Sequence, residues 1–189
     1  MKQVLLVRHG PTIATRSAGF PSDEALESDG MAQAATLATA LPSSHRTLCS
    51  PAMRARQTAA AAGLTAQTEP RLAECDFGTW AGRRLADIHA ADPGATSAWM
   101  TDPDARPHGG ESLSAFSDRV AAWLDEEMRH PEPVVAITHG GVIKASVVHV
   151  LRAELTAFWR IEAQPLSITE LRVCDERWSV VRTNWTAAG

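Results

Sequence analysis

The sequence predicts an α/β fold of three layers, in which a mostly parallel central sheet is covered by helices on both faces. Short runs rich in β-branched residues alternate along the chain with stretches of helical periodicity. This order is typical of parallel strands joined by crossover helices. A chain of 189 residues also suits one domain with its own core. We therefore expect a single domain spanning residues 1–189.

The predicted elements follow from local patterns. Strands are expected at residues 4–7, 47–49, 134–138, 168–173 and 178–183, the last two forming a hairpin around Asp175 and Glu176. Helices are expected at residues 30–41, 51–62, 83–90, 113–128 and 142–151. Ser112 and Ser50 are the predicted N-caps of two of these helices. Residues 91–110, rich in Pro, Asp and Gly, are interpreted as a long surface excursion.

Composition excludes several classes of protein. A formal net charge of −4 and a pI near 6.0 argue against a nucleic-acid-binding protein. The three cysteines, Cys49, Cys75 and Cys174, are too far apart for a disulfide framework or a zinc site, so we expect a reducing cytoplasm. No run of about 18 apolar residues is present, so no membrane contact is expected. Nucleotide-fold, zinc-protease and serine-hydrolase motifs are absent from the sequence.

Two predicted strands each deliver a histidine that is followed by glycine. The first strand leads into Arg8 and His9, and the strand at residues 134–138 leads into His139. In open α/β sheets, ligands bind beyond the carboxyl ends of the strands. Glycine lets the backbone approach a ligand closely. Both histidines are therefore candidate ligand-binding groups, although each could instead simply cap its strand.

Two further charged residues are candidates. Arg54 lies in the first turns of the helix predicted at residues 51–62, near the positive end of the helix dipole, where an anion is attracted. Glu74 lies in a short strand-like segment beside Cys75 and Phe77, surroundings that favour a protonated carboxyl group. The alternative interpretation of either residue is an ordinary solvated charge.

Six segments, taken together and in this order, resemble motifs of the histidine phosphatase superfamily, which has the phosphoglycerate-mutase-like fold. They are LLVRHGPT, GMAQA, SPAMRARQTA, LAECDFGTWAG, GGES and AITHGGVI. The resemblance extends over most of the chain. It implies a phosphomonoesterase that needs no metal or other cofactor and acts on a small soluble phosphate ester.

The resemblance also implies a role for each matching residue. His9 is expected to attack phosphorus and form a phosphohistidine. Glu74 is expected to protonate the leaving alkoxide and then to take a proton from the attacking water. The residues expected to contact the phosphate are Arg8, Arg54, His139, Gly140 and Thr15, the last of which stands where the family commonly has Asn.

The substrate is left open by the sequence. Thr12, Arg83 and Arg84 are expected at the rim of the site, and we hypothesise that one of the two arginines favours substrates with additional negative charge. Candidate substrates are α-ribazole phosphate, which small members of the family hydrolyse, sugar phosphates and phosphoglycerates. The oligomeric state is not predicted.

Three alternative functions remain at this point. A phosphoglycerate mutase would pass the phosphoryl group to a second hydroxyl, although mutases of this superfamily are usually longer. A non-catalytic phospho-ligand-binding protein would keep the pocket without turnover, yet both His9 and Glu74 are present. A phosphoprotein phosphatase is the third, although short members with that role often lack the segment that carries Glu74.

Overall fold

A computed structural model describes residues 2–186. These residues form a six-stranded sheet in the order β3-β2-β4-β1-β5-β6. Strands β1 to β4 are mutually parallel, whereas β5 and β6 run antiparallel, so the sheet is mostly parallel as predicted. Met1 and residues 187–189, which the predicted domain includes, lie outside the described residues. The strands are β1 (Lys2–Arg8), β2 (Arg46–Cys49), β3 (Gln67–Thr68), β4 (Val134–Thr138), β5 (Ile168–Cys174) and β6 (Arg177–Trp185).

The helices lie on both sides of this sheet. None of the helices in residues 2–186 is both long enough and apolar enough to cross a membrane. The α-helices are α1 (Ile13–Arg16), α2 (Ser28–Ala35), α3 (Leu37–Ala40), α4 (Met53–Ala61), α5 (Leu85–Ala91), α6 (Pro93–Thr101), α7 (Leu113–Arg129) and α8 (Gly140–Leu151). Short 3₁₀ helices occur at Pro70–Leu72, Gly78–Trp80 and Leu155–Arg160.

Alternation along β1 divides the core between two layers of helices. Val4 and Leu6 point to the face covered by α7 and α8, where they join a fully apolar cluster. Leu5 and Val7 point to the opposite face, which α3 and α4 cover. Successive side chains of a strand face opposite sides of the sheet. A strand that is apolar at every position must therefore be covered on both faces. The predicted three-layer architecture is confirmed.

Helix α7 follows its prediction closely. The hydroxyl of Ser112 accepts a hydrogen bond from the amide of Ala115 and so caps the helix. The apolar side chains of one stripe are fully buried against the sheet and α8: Phe116, Val120, Trp123 and Leu124. The hairpin of β5 and β6 is also confirmed, with Asp175 and Glu176 both at positive φ in its turn.

Three predicted elements need correction. The helix expected at residues 30–41 is divided at Thr36, whose hydroxyl bonds the carbonyl of Gln33 and competes with the helical pattern. Residues 91–110 are not one irregular excursion, because they contain α6, which Asp92 caps and which Pro93 begins. The third correction concerns Ser50, described below.

Candidate active site

Three neighbouring strands end at the same edge of the sheet, and a polar residue directly follows each of them. Strands β2, β4 and β1 are adjacent and parallel, so their carboxyl ends lie side by side. Ser50 follows β2, His139 follows β4 and His9 follows β1. Helix α4 contributes Arg54 to the same place. The sequence thus assembles four polar side chains, all nearly inaccessible to solvent, at the position where α/β sheets bind ligands.

The two ring nitrogens of His9 have different partners. Nδ1 lies 2.7 Å from the carbonyl oxygen of Gly10, to which it donates. Nε2 accepts a hydrogen bond from Nε of Arg54 over 3.2 Å, and it therefore carries a lone pair. Burial, followed by the positive charges of Arg54 and Arg8, lowers the pKa of His9 to about 3. His9 is therefore a neutral imidazole at neutral pH.

His139 is neutral for the same reasons. Its Nδ1 lies 3.1 Å from a terminal nitrogen of Arg54, which can only donate, so Nδ1 accepts. Its Nε2 then carries the proton and donates to the hydroxyl oxygen of Ser50 over 2.7 Å. Complete burial, with the nearby His9, Arg54 and Arg8, holds the pKa of His139 well below its ordinary value.

Ser50 is a site residue that sequence reasoning missed. We predicted it as the N-cap of the helix at residues 51–62, but the helix begins at Met53 and its N-cap, Ala52, makes no side-chain cap. The Ser50 hydroxyl accepts from the amide of Ala52 and contacts His139 instead. The signal was present in the sequence, because Ser50 directly follows a predicted strand, as both histidines do.

The two arginines hold positive charge without a matching carboxylate. Arg54 is 3% exposed, its side chain bonds only the two imidazoles, and within residues 2–186 it forms no ion pair. Arg8 donates to the carbonyl of Ala163 over 2.6 Å, while its buried Nε has no partner among the described atoms. A buried guanidinium without an anion is costly. The arrangement therefore suits an incoming dianion.

Glu74 faces these cations from an irregular segment between two 3₁₀ helices, not from the strand-like segment that we predicted. Its Oε1 accepts from the amide of Cys75 over 3.0 Å, and its Oε2 accepts from the amide of Gly141 over 3.1 Å. A Cβ at Gly141 would lie 2.1 Å from Oε1, so only glycine leaves room for the carboxyl group here. The two amides thereby fix both carboxyl oxygens, and Oε2 lies at the start of α8.

Besides His9, Cys75 is a residue near the site of a type that can act as a nucleophile. Burial, followed by the negative charges of Glu74 and Glu111, raises the pKa of its thiol. Because only a thiolate is strongly nucleophilic, the protonated thiol of Cys75 is a weak nucleophile. The described residues also contain no group of three or more His, Cys, Asp or Glu side chains arranged to hold a metal ion.

Two adjoining cavities open onto these groups and share four wall residues. We call the first the phosphate chamber: it measures about 270 Å³ and includes His9 and Arg54. We call the second the side chamber: it measures about 240 Å³ and includes Lys144, Phe116 and Trp159. The shared wall consists of Arg8, Glu74, Phe77 and Trp99.

Two of the predicted phosphate contacts lie on these walls. Gly140 begins α8 in the side chamber, and a Cβ there would meet the Arg8 guanidinium at 3.4 Å. Thr15 lines the phosphate chamber, but its hydroxyl donates to the carbonyl of Thr12 and accepts from the amide of Thr12. Thr15 therefore serves the capping box of α1.

The three predicted rim residues are not brought to the chamber walls. Thr12 is completely buried and its hydroxyl donates to Glu24. Arg83 and Arg84 are exposed, and Arg84 forms an ion pair with Asp87, three residues further along α5. The two arginines were predicted from their proximity to Trp80 and Glu74 in the sequence, but neither of them lines a chamber.

Comparison with known proteins agrees with this geometry. The profile of the Histidine phosphatase superfamily (branch 1) matches residues 4–186. The chain is 31% identical to the Adenosylcobalamin/alpha-ribazole phosphatase of Escherichia coli (strain K12), over 95% of this chain and 89% of the relative. It is 30% identical to a Proteus mirabilis (strain HI4320) protein named "Probable phosphoglycerate mutase GpmB", over 94% of this chain and 88% of the relative.

A solved structure is similar over the whole fold. The mycobacterial glucosyl-3-phosphoglycerate phosphatase in complex with VO3 superposes with a TM-score of 0.86 and 28% identity, covering 98% of this chain and 100% of the other. The chain therefore belongs to the histidine phosphatase superfamily, and it is a phosphoric monoester hydrolase.

Proposed function

We propose that this protein hydrolyses a small soluble phosphate monoester without a metal ion, through a phosphohistidine formed on Nε2 of His9. The observation that carries the proposal is the buried guanidinium of Arg54, whose side chain contacts two neutral imidazoles and no carboxylate among residues 2–186. A phosphate dianion would neutralise this charge and that of Arg8. Three free cysteines are compatible with the reducing cytoplasm in which we expect it to act.

In the first step, the guanidinium groups of Arg8 and Arg54 hold the non-bridging oxygens. Nε2 of His9 then attacks phosphorus, forming an N–P bond as the P–O bond to the leaving group breaks. Glu74 gives its proton to the departing alkoxide. Hydrolysis of phosphate monoesters is among the slowest uncatalysed reactions, with accelerations up to about 10²¹, so rigid positioning of both arginines and the nucleophile matters.

In the second step, water attacks the phosphohistidine and Glu74, now a carboxylate, takes its proton. The N–P bond breaks, His9 regains its lone pair, and inorganic phosphate leaves. Throughout, Nδ1 of His9 keeps its proton and donates it in a hydrogen bond to the carbonyl oxygen of Gly10, which keeps Nε2 as the reacting atom.

His139 supports the phosphoryl group by a change of tautomer. As described above, its Nδ1 accepts from Arg54. When Arg54 turns to the phosphate, the Ser50 hydroxyl can donate to Nε2 instead of accepting from it, because a hydroxyl does both. Nδ1–H of His139 then donates to a phosphate oxygen.

A mutase is the second candidate. It uses the same residues, and chain length does not separate the two, because the relative named a mutase is matched over most of its own length. The products separate them: a mutase returns an isomeric phosphate ester, whereas a phosphatase releases inorganic phosphate.

The test measures phosphate release from sugar phosphates, nucleotides, phosphoserine, phosphoglycerates and α-ribazole phosphate, with a chelator present. We expect wild type to release phosphate, His9→Ala to release none, and the exposed control His130→Ala to match wild type. Quenching during turnover with an alkaline denaturant should trap a phosphoprotein that is stable in alkali and labile in acid, and only when His9 is present. Turnover that survives in His9→Ala, or conversion of 3-phosphoglycerate to its 2-isomer without phosphate release, would overturn the proposal.

A further inference from the structure

The segment that carries Glu74 has no regular secondary structure of its own. Residues 73–77 lie between the 3₁₀ helices at Pro70–Leu72 and Gly78–Trp80, and they belong to neither a helix nor a strand. A proton donor must stand within hydrogen-bond distance of the oxygen that it protonates. Because the segment lacks a helical or strand ladder, its position depends on contacts made by other parts of the chain.

Arg119, in the second turn of α7, holds the backbone of this segment. Its Nη1 donates to the carbonyl oxygens of Arg71 and Ala73 over 2.8 and 3.0 Å. Its Nη2 donates to the carbonyl oxygen of Glu74 over 3.4 Å. One guanidinium group thus bonds three carbonyls in a short stretch of chain, including that of Glu74 itself.

Glu111 orients Arg119 and holds the segment beyond Glu74. Its Oε1 accepts from Nε of Arg119 over 2.9 Å, and its Oε2 accepts from Nη2 over 2.7 Å, so the pair is bidentate. Oε2 also accepts from the amide of Asp76 over 3.0 Å, and the amide of Glu111 donates to the carbonyl of Asp76 over 2.9 Å. The pair therefore bonds the backbone on both sides of Glu74.

The position of the pair argues against direct contact with substrate. The described walls of the phosphate chamber and the side chamber include neither Arg119 nor Glu111. Each charge is matched by the other, and the guanidinium carbon lies 5.0 Å from the ring centroid of Phe116. A pair in this position can affect the reaction only through the groups that it holds.

The carboxyl group of Glu74 is held separately, by two backbone amides. These amides place the carboxyl oxygens correctly only if the backbone of Glu74 is itself fixed. We propose that Arg119 is a positioning residue which, together with Glu111, fixes the backbone of residues 71–76 so that Glu74 can protonate the leaving group. This inference rests on the proposed function and extends it to a pair outside the chambers.

The test compares phenyl phosphate with p-nitrophenyl phosphate. The two esters are similar in shape, but phenol is the weaker acid, so its oxygen depends more on a proton from the enzyme as it leaves. In Arg119→Met we expect kcat/KM to fall by roughly 100-fold for phenyl phosphate and by less than about 10-fold for p-nitrophenyl phosphate. A merely structural role would lower both values equally, and that result overturns the inference.

Arg119→Met also leaves the charge of Glu111 unbalanced, and a double variant separates this effect from placement. Arg119→Met combined with Glu111→Gln restores the charge balance, but the guanidinium bonds to the carbonyls remain absent. We therefore expect the selective loss to persist in the double variant. Recovery of the wild-type ratio between the two esters would show that charge causes the loss, which contradicts the inference.

A mutant cycle with Glu74→Gln shows whether Arg119 acts through the carboxyl group. Mutations of residues that act as a unit are not additive. When Glu74→Gln has already removed the proton, adding Arg119→Met should lower kcat/KM for phenyl phosphate by less than about threefold. A full additional loss of roughly 100-fold would place the action of Arg119 elsewhere and would overturn the inference.

Arg71→Met is the matched control. Arg71 also forms a bidentate pair with a carboxylate, that of Glu69, and a further pair with Glu126. Among the described residues its guanidinium group makes no hydrogen bond to residues 73–77, and its backbone carbonyl is kept in the variant. We expect both kcat/KM values to change by less than about twofold. A selective loss as large as that of Arg119→Met would show that the effect is not specific to Arg119.

Failure of the proposed function is recognised separately in wild type and in Glu74→Gln alone. If wild type hydrolyses neither ester, or if Glu74→Gln lowers both values equally, the proposed function fails and the inference falls with it. If Glu74→Gln shows the selective loss and Arg119→Met does not, the proposed function stands and only the inference is overturned.

Discussion

Nε of Arg54 donates a hydrogen bond to Nε2 of His9 over 3.2 Å. Because a guanidinium nitrogen cannot accept, this contact identifies Nε2 as the ring atom that carries the lone pair. The His9 ring is thus oriented by a cation on one side and a backbone carbonyl on the other, with no carboxylate in hydrogen-bond contact with it among the described residues. Removal of the proton from His9 is achieved by burial and positive charge.

The first prediction concerns stability in acid. The pKa of His9 is about 3 in the folded protein and near its ordinary 6.5 in the unfolded chain. Between these values the unfolded state binds more protons, so the free energy of unfolding must fall as pH falls through this window. Within this window, His9 alone should lower the free energy of unfolding by up to about 1.4 kcal/mol for each pH unit. Urea denaturation between pH 7 and pH 4 should show a shallower decline for His9→Asn than for wild type.

Labelling the histidines for NMR tests the same point directly. The ring signals of His9 should show no titration above pH 4 in the folded protein. A titration midpoint near 6 would show that burial and the two arginines do not keep the His9 ring neutral, which would contradict the prediction.

The second prediction is that Arg54→Met lowers activity and raises the free energy of unfolding. The variant removes a buried charge that no carboxylate balances, so we expect unfolding to cost about 1 kcal/mol more. Phosphate release should fall by at least about 100-fold, since a clamp on the transferred group is lost. Arg56→Met, on the exposed side of α4, should change neither quantity appreciably. A destabilised Arg54→Met would show that another group in the protein balances the charge of Arg54.

The third prediction compares two serines with opposite roles. Ser50→Ala removes the hydroxyl partner of His139 and should lower kcat/KM by roughly 10-fold, as loss of a supporting contact does elsewhere. Ser112→Ala removes the cap of α7 and should cost about 1 kcal/mol of stability with unchanged kinetics. Thermal denaturation and steady-state kinetics on both variants would expose any reversal of these roles.

The fourth prediction tests Glu74 through its neighbour. In Gly141→Ala the new methyl group would collide with Oε1 of Glu74 and displace the carboxyl group. Turnover of alkyl phosphates, whose leaving alkoxide needs a proton, should fall more than turnover of p-nitrophenyl phosphate. Gly94→Ala, also at a helical glycine but at an exposed position in the first turn of α6, should leave both unaffected. An equal loss for both esters would argue against proton donation by Glu74.

Much of the fold could be predicted because its causes are local. The apolar runs of β1 and β4 and the apolar stripe of α7 are visible in the sequence, since burial of a strand or a helix face has a fixed period. Helix α6 was missed because its apolar face is small, although Asp92 and Pro93 mark its start. The two-residue strand β3 is held only by pairing with β2, a contact that no local pattern reveals.

The candidate site was predictable where chemistry follows a strand. His9, His139 and Arg54 were found because each lies at a strand end or helix start, and the structure brings them into hydrogen-bond contact. The side chamber was not foreseen, because Lys144 meets Phe158 only through the packing of α8 against the following 3₁₀ helix. Arg83 and Arg84 lie outside both chambers for a related reason, because adjacency to Trp80 in the sequence does not determine where a side chain lies in the fold.

The position of β1 has a consequence for how the enzyme is made. This strand leads into His9 near the start of the chain, yet both of its neighbours in the sheet, β4 and β5, come from the last third. Arg8 is fixed by carbonyls of Ala163 and Ser167 as well. A ribosome must therefore release more than 160 residues before His9 can be held in place. For most of synthesis His9 is therefore an ordinary side chain of the nascent chain, and the candidate site is assembled only when translation is nearly over.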